Sequence, residues 1–376
     1  MAVNNQLQDM YITHQQNIEL YKNNLASRAE RIYKRGVTRL RSQLRSYTDG
    51  DDNIIDSVGA RNQIENELLE IMNEINQEFE DFLNKEIEDF TESEKTFYVN
   101  TLQETFNSAD LVLSVASPRD GLSFSKTKTL PIHLQNGQTA RYLEELRNPG
   151  LKANRYLRDN IRRAFTLGLS IYVLSNTLFS STQGIFNSIF RGARTTSNLL
   201  VQHATSTTRK TFHEANEETI KGYKWVSVLD SRTSDTCQYL SERVWYYNNP
   251  SRSTLPGPIE PPAHYNCRST TTPIVINSRE LSPEAKAAQI LSSAALATVL
   301  TSRLPQQTSY LQWLKRQPNS IQQEVLGTVR YDLWKSGELQ IEGFYSKDAR
   351  FYTLKELDNL GVDIPNEYLR YVNGDE

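Results

Sequence analysis

The chain has 376 residues, a formal net charge of -3 and a mean hydropathy of -0.59. This length suggests roughly two or three domains, and the low apolar content argues against one domain with a thick core. Two cysteines exclude a disulfide scaffold, and no apolar run approaches the ~20 residues of a membrane helix, so no membrane partner is expected. Because Met1–Asn5 lacks the start of a signal segment, we expect synthesis in a reducing cytoplasm.

Residues 1–116 are predicted to form a helical domain with two oppositely charged arms. Residues 22–45 carry eight basic residues and one acid, whereas residues 49–94 carry sixteen acids and two bases. Both segments have apolar residues at helical spacing, and an Asp- and Gly-rich turn at 48–53 separates them. We expect an antiparallel hairpin whose acidic arm neutralises its basic arm. The alternative is that Lys22–Arg45 contacts DNA.

More helices are predicted through the middle of the chain. One spans Glu92–Val115, and an irregular loop follows it. Residues 117–222 are expected to form a second helical domain. Within it, the first helix is predicted over Thr139–Arg147 and ends at Asn148-Pro149-Gly150. A second covers Asn154–Leu167, and a long third helix runs from about Ala193 to Ile220.

The pattern changes to short strands at residue 223. Aromatic and β-branched residues predict strands at Tyr223–Leu229, Arg243–Tyr247 and Thr270–Ile276. Pro273 places the third strand at a sheet edge or a strand end. Residues 223–280 therefore form a predicted β module, and the expected fold class is mainly α with a small antiparallel sheet (α+β), on an elongated helical N-terminal body.

Residues 281–376 are predicted to form a helical C-terminal module. After Ser282-Pro283-Glu284, an Ala-rich helix is expected to reach about Leu300. Three short helices should follow near residues 310–314, 321–334 and 354–360, punctuated by glycines at 327, 337 and 361.

Both cysteines fall inside the β module, and one histidine accompanies them. His264 and Cys267 are three residues apart, a workable spacing for metal ligands, and Cys237 is a third soft ligand. A tetrahedral zinc site would take its fourth ligand from Asp230, Asp235 or water.

Three other interpretations of these residues stay open. The thiols can be packed in a corner without metal, with His264 hydrogen-bonded to a carboxylate. Cys237 and Cys267 can form a disulfide, although a reducing compartment argues against it. Cys237 can also serve as a nucleophile with His264 as its base and Asp230 or Asp235 orienting the imidazole. The remaining histidines lack ligand-spaced companions, and His203 and His213 are expected on the surface.

The order of motifs in this region resembles that of a known family. A long helix leads into Gly222-Tyr223-Lys224-Trp225, and Asp230-Ser231-Arg232-Thr233, Cys237 and Pro261-Pro262-Ala263-His264-Tyr265-Asn266-Cys267-Arg268 follow. This combination resembles the phage minor head proteins typified by the Mu F protein, mainly over residues 193–276. Many members carry a second cysteine near each one present in this chain, so a four-cysteine metal site does not apply to it.

The resemblance implies a structural virion protein without catalysis. It would be a minor capsid component at the portal vertex or inner capsid surface that assists head morphogenesis and leaves with the DNA. The implied partners are the portal protein and the major capsid or scaffolding protein, with packaged DNA contacted through Lys22–Arg45. The alternatives are a virion-borne zinc-dependent or Cys/His hydrolase and a DNA-binding packaging factor.

Overall fold

The computed structural model describes residues 2–48, 57–106, 129–133, 139–217, 219–275, 309–346, 350–365 and 368. This part of the chain contains ten α-helices and a three-stranded antiparallel sheet, which confirms the predicted mainly α fold with a small β module. None of the described helices has the length and apolar character needed to cross a membrane. The Ala-rich helix predicted after Ser282-Pro283-Glu284 lies outside the described residues, as does most of the predicted turn at 48–53.

The helices and strands alternate irregularly along the chain. In sequence order they are α1 (Ala2–Arg45), α2 (Val58–Phe106), β1 (Thr129–His133), β2 (Thr139–Arg141), α3 (Tyr142–Leu167), α4 (Ile171–Phe179), α5 (Phe186–Ala215), β3 (Ile220–Val226), α6 (Asp235–Leu240), β4 (Val244–Tyr246), β5 (Thr270–Val275), α7 (Tyr310–Lys315), α8 (Asn319–Leu326), α9 (Thr328–Ser336) and α10 (Leu354–Asn359). Short 3-10 turns lie at Pro250–Arg252 and Ile341–Phe344.

The chain divides into two compact units. Unit 1 contains Met1–Gln15, Phe97–Val115 and Lys210–Glu376, and unit 2 contains Gln16–Thr96 and Ala116–Arg209. Helices α1, α2 and α5 therefore contribute residues to both units. The predicted division at 1–116, 117–222, 223–280 and 281–376 stays a prediction.

Unit 2 contains the predicted antiparallel hairpin of a basic and an acidic helix. Arg28 pairs with Glu86, Arg35 with Glu78 and Arg39 with Glu74. Residue numbers therefore increase along α1 while those of the paired residues in α2 decrease, so the two helices are antiparallel. Buried apolar residues at three- and four-residue spacing line the facing sides of both helices. The basic arm is thus partly neutralised by the acidic arm, as the charge pattern predicts.

The acidic helix is longer than the sequence pattern indicates. The structure shows one continuous α2 to Phe106, so the prediction of a separate helix beginning at Glu92 is wrong. Residues 60–106 contain neither glycine nor proline, and nothing in this stretch interrupts the backbone hydrogen bonds. Residues 107–115, the expected end of that third helix, lie outside the described residues.

Helix α3 continues through Pro149, where the sequence predicts a stop. Proline has no N–H to donate to the carbonyl of Glu145, four residues earlier. The hydroxyl of Thr196 on α5 donates to that carbonyl instead, at 3.3 Å. Gly150 lets α2 approach, because a Cβ there would lie 2.7 Å from Cγ of Asn76. Tertiary packing therefore compensates for two residues that usually end helices.

The long helix before the sheet is shifted relative to its prediction. Helix α5 begins at Phe186 instead of Ala193 and ends at Ala215, and a turn at Asn216 leads into β3 at Ile220. His203 and His213 are buried at 4% and 1% exposure, so the expectation that they lie on the surface is wrong. Helix periodicity alone does not show that α5 is covered on most of its faces.

The small sheet of unit 1 has the strand order β4-β3-β5, with both pairs antiparallel. Tyr223 in the central strand lies opposite Trp245 on one side and Pro273 on the other. Pro273 therefore lies in an edge strand, as predicted. Tyr223 and Trp225 pack into one apolar cluster with Cys237, Leu240, Leu255 and Cys267. This cluster is the core on which the candidate site is built.

The C-terminal helices form a second apolar core in unit 1. The predicted helix at 321–334 is divided into α8 and α9 by Gly327, which has a φ of 73°. Gly337 and Gly361 also have positive φ, at 86° and 85°, which confirms their predicted role as breaks between elements. Tyr310, Leu314, Phe344 and Leu357 are among the buried residues of this core.

Candidate metal centre

Cys237 lies in the first turn of the short helix α6. Ser234 precedes the helix as its N-cap, and its hydroxyl accepts a hydrogen bond from the Cys237 N–H at 3.3 Å. Ser227 donates to the Cys237 carbonyl at 2.6 Å, and the indole N–H of Trp225 donates to Ser227 at 3.0 Å. The thiol is 2% exposed. These contacts fix the position of Cys237 against the sheet.

His264 and Cys267 are brought together by a tight turn. The N–H of Cys267 donates to the carbonyl of His264 at 3.2 Å, which closes the turn. Asn266 within it has a φ of 59°, a left-handed conformation that asparagine tolerates better than most residues. The spacing of three residues therefore places both side chains on the same side of the turn.

The three predicted ligand residues converge on one point. The Sγ atoms of Cys237 and Cys267 are 3.7 Å apart and are not bonded to each other. Nε2 of His264 lies 3.1 Å from the Cys237 sulfur, and all three ligand atoms lie within 4.8 Å of one another. The structure thus brings together residues that are 27 and 30 positions apart in sequence.

The orientation of the His264 ring is set by its neighbour. Nδ1 lies 2.8 Å from the carbonyl oxygen of Tyr265, so Nδ1 carries the proton and donates it to that oxygen. In the neutral imidazole Nε2 then carries the lone pair and acts as a hydrogen-bond acceptor. Besides the Cys237 sulfur, the hydroxyl of Ser234 approaches Nε2, at 2.7 Å.

The three groups shift one another's protonation. A hydrogen bond with Cys237, together with His264, lowers the pKa of Cys267 well below its ordinary value. The same hydrogen bond, with burial, raises the pKa of Cys237 well above its ordinary value. Burial opposes the charged form of His264, but Cys267 raises the pKa of that imidazole overall. A thiolate in this cluster is therefore stabilised by a hydrogen bond from the other thiol and by the imidazole.

Asp230 lies in a different set of contacts. Both its oxygens accept hydrogen bonds from Arg268, each at 2.7 Å, and its Oδ1 also accepts from the N–H of Arg232 at 3.1 Å. The hydrogen bonds from Arg268 lower the pKa of Asp230 below its ordinary value. The carboxylate thus stabilises the local turn and joins it to the residue after Cys267.

Asp235 and Gln238 connect α6 to the segment between the 3-10 turn at Ile341–Phe344 and α10. The carboxylate of Asp235 accepts from the N–H of Phe351 at 2.8 Å, and Gln238 accepts from the hydroxyl of Tyr345 at 2.6 Å. The hydroxyl of Tyr310 donates to the carbonyl of Asp230 at 2.9 Å.

Sequence patterns do not indicate these partners. Arg268 is part of the family-like motif, but its pairing with Asp230 depends on two loops 38 residues apart. Gln238, Tyr310 and Tyr345 carry no motif at all.

One comparison with known proteins finds a family similar to the region that contains the candidate metal centre. Residues 155–272 match the family model described as Phage Mu protein F like protein. This segment runs from within α3 into β5 and includes Cys237, His264 and Cys267. No curated protein and no solved structure matches the chain significantly. The resemblance predicted from the motifs is therefore confirmed: residues 155–272 of the chain are similar to the Mu F-like family of phage proteins.

Proposed function

We propose that the protein is a minor capsid component of a phage virion, associated with the portal and assisting head morphogenesis. The match to the Mu F-like family over residues 155–272 is the observation that carries this proposal. Within this proposal the protein lies at the portal vertex or the inner capsid surface, contacts the portal and the major capsid or scaffolding protein, and leaves with the DNA.

The contacts at the candidate site support a structural role over a catalytic one. In a Cys/His hydrolase, a carboxylate commonly orients the base through its second ring nitrogen. In this chain Nδ1 of His264 faces the carbonyl of Tyr265, while Asp235 accepts the N–H of Phe351. Both thiols are 2% exposed, so a substrate has little access to either sulfur. We therefore favour a protein without enzymatic activity over the hydrolase alternative.

The charged hairpin lends less support to the DNA-binding alternative. Arg28, Arg35 and Arg39 of the basic arm each pair with a glutamate of α2. Each pair cancels charge that a phosphate contact needs. Binding of packaged DNA through Lys22–Arg45 stays a prediction, and it would be detected as binding that weakens steeply with salt.

Co-expression tests the portal association. The full chain, untagged, is produced together with the tagged portal protein of the same phage, and in parallel with its tagged major capsid protein. We expect the chain to co-purify with the portal in a fixed ratio after gel filtration. Co-purification with the capsid protein alone would contradict the portal association but keep the head assignment, and binding to neither would contradict both partners.

Protease protection tests the location. In intact virions a protein on the inner capsid surface resists added protease, and it becomes sensitive after the heads are opened. Digestion at the same rate in intact and opened virions would contradict an interior position. An externally exposed capsid protein of the same virion serves as the control for protease activity.

A further inference from the structure

The residues around His264 have the arrangement of a metal-binding site. This inference does not depend on the proposed role in head assembly. Two sulfurs and one imidazole nitrogen converge inside an apolar cluster that includes Trp225 and Leu240. Thiols that served only as apolar filling would not need to meet at a histidine nitrogen. Cysteine sulfurs and imidazole nitrogens are the ligands that zinc, a borderline metal ion, takes in proteins.

The distances agree with a tetrahedral zinc ion. Two sulfurs at ~2.3 Å from zinc lie about 3.8 Å apart, and sulfur and nitrogen lie about 3.6 Å apart. The observed Sγ–Sγ distance between Cys237 and Cys267 is 3.7 Å, and the distance from the Cys237 sulfur to Nε2 is 3.1 Å. The sulfurs therefore already have the required separation, and Nε2 needs to move about 0.5 Å away from the Cys237 sulfur. The third distance, from the Cys267 sulfur to the imidazole, is within 4.8 Å.

The tautomer of His264 supports the same conclusion independently. A histidine that binds zinc usually donates its other ring N–H to a carbonyl or carboxylate, which orients the ring and fixes the coordinating nitrogen. His264 makes this contact through Nδ1 to the carbonyl of Tyr265, at 2.8 Å. The lone pair of Nε2 is left facing the sulfur of Cys237. The hydrogen bond from Nδ1 to Tyr265 therefore orients the imidazole as in a histidine that binds zinc through Nε2.

We propose that Cys237, His264 through Nε2, and Cys267 bind one zinc ion, with a solvent molecule held by Ser234 as the fourth ligand. The hydroxyl of Ser234 lies 2.7 Å from Nε2, the nitrogen that would bind the ion, and is therefore close enough to hydrogen-bond a solvent ligand on that ion. Asp230 is not a ligand in this proposal, because both its oxygens are bound by Arg268. The ion ties the first turn of α6 to the turn at 264–267 and so stabilises the region around the sheet.

The test uses the full chain, purified under reducing conditions, treated with chelator and dialysed against zinc or cobalt. We expect one zinc per chain after removal of excess metal. The cobalt form should show the intense visible bands of a tetrahedral ion and the near-ultraviolet band of thiolate ligation. X-ray absorption at the zinc edge should report two sulfur neighbours and one imidazole.

Variants assign the ligands. His264→Ala and Cys267→Ser should each lose most of the bound metal, and Cys237→Ser should do the same. His14→Gln is the matched control, because His14 stacks on Phe97 at 3.6 Å and lies outside the ligand cluster, so it should retain one zinc. Ser234→Ala should bind zinc more weakly but keep both sulfur neighbours in the absorption spectrum.

Three results on the wild-type chain would overturn the proposal, and none depends on whether a variant folds. The first is retention of less than about 0.2 zinc per chain under conditions that saturate a structural site. The second is an absorption spectrum without sulfur neighbours. The third is a disulfide between Cys237 and Cys267, detected as the absence of free thiols in denatured protein from a parallel purification without reductant.

Discussion

Nδ1 of His264 lies 2.8 Å from the carbonyl oxygen of Tyr265, the next residue in the chain. This contact fixes the imidazole tautomer and directs Nε2 towards Cys237. It also separates the proposed zinc site from a catalytic dyad, because the position that an orienting carboxylate would take is filled by the backbone. One local hydrogen bond therefore bears on both the proposed zinc site and the proposed structural role.

The pair Arg28–Glu86 should contribute measurably to the stability of the helical hairpin. Both guanidinium nitrogens reach the carboxylate, at 2.6 and 2.7 Å, although Arg28 is 39% exposed. We expect Arg28→Ala to lower the free energy of unfolding by about 1 kcal/mol, the upper end for partly exposed pairs. Urea unfolding at low and high salt measures this loss.

Arg31→Ala is the control for that experiment. Arg31 is exposed and has no ion pair within the part of the chain that the structure describes. It should change the unfolding free energy by less than about 0.5 kcal/mol. Equal losses for the two variants would show that the Arg28 contact contributes nothing beyond general charge effects.

Thr196 should stabilise the folded protein because Pro149 in α3 leaves the carbonyl of Glu145 without its helical donor. Thr196→Val removes the donor to the buried carbonyl of Glu145, and an unsatisfied buried acceptor costs about 1–3 kcal/mol. In a Pro149→Ala background the new N–H can bond that carbonyl, so the same substitution should cost less. A double-mutant cycle measured by chemical unfolding gives the coupling. Additive effects would contradict the compensation between Thr196 and Pro149.

Asp230 should stabilise the protein at neutral pH but not in acid. Arg268 lowers the folded-state pKa of Asp230 below the ordinary 3.8, so its contribution is present above 3.8 and is lost as pH falls through the lower value. We expect Asp230→Asn to cost about 1 kcal/mol at pH 7, because the carboxylate is 32% exposed. The difference between the two proteins should shrink below pH 3.8.

Arg232→Gln is the matched control for the Asp230 experiment. Arg232 is 80% exposed, and its guanidinium lies 3.6 Å from Asp230. The free energy of unfolding of Arg232→Gln should equal that of the wild type at every pH. A difference between wild type and Asp230→Asn that stays constant from neutral pH into acid would contradict the ionic role of Asp230.

Gly222 should tolerate no side chain. A Cβ at this position would lie 2.0 Å from the carbonyl oxygen of Trp245 in the neighbouring strand, and backbone cannot move away easily. We expect Gly222→Ala to destabilise the protein by about 3 kcal/mol or more through separation of β3 and β4. Gly257→Ala, where a Cβ meets nothing within 4 Å, should be nearly neutral in the same thermal unfolding assay. Similar melting temperatures for the two variants would contradict this account of the sheet.

The sequence supports the parts of the fold that depend on local patterns. The hairpin of α1 and α2, the three strands near Tyr223 and the glycine breaks at 327 and 337 all follow from periodicity and turn residues. The motif spacing also points to Cys237, His264 and Cys267, which the structure brings together.

The errors arise where distant contacts override local signals. Pro149 and Gly150 usually end a helix, yet Thr196 and Asn76 supply the donor and the space that let α3 continue. His203 and His213 lie on a helix whose neighbours cannot be read from one sequence. The pairing of Arg268 with Asp230 likewise depends on loops that meet only in the folded chain.

Mass spectrometry of purified virions, with isotope-labelled peptides of this chain, the portal and the major capsid protein, tests the central claim most directly. The account predicts that the chain is present in far fewer copies than the major capsid protein, and that it is depleted from heads emptied of DNA. Virions that contain portal and capsid peptides but no peptide of this chain would contradict its assignment as a minor head protein.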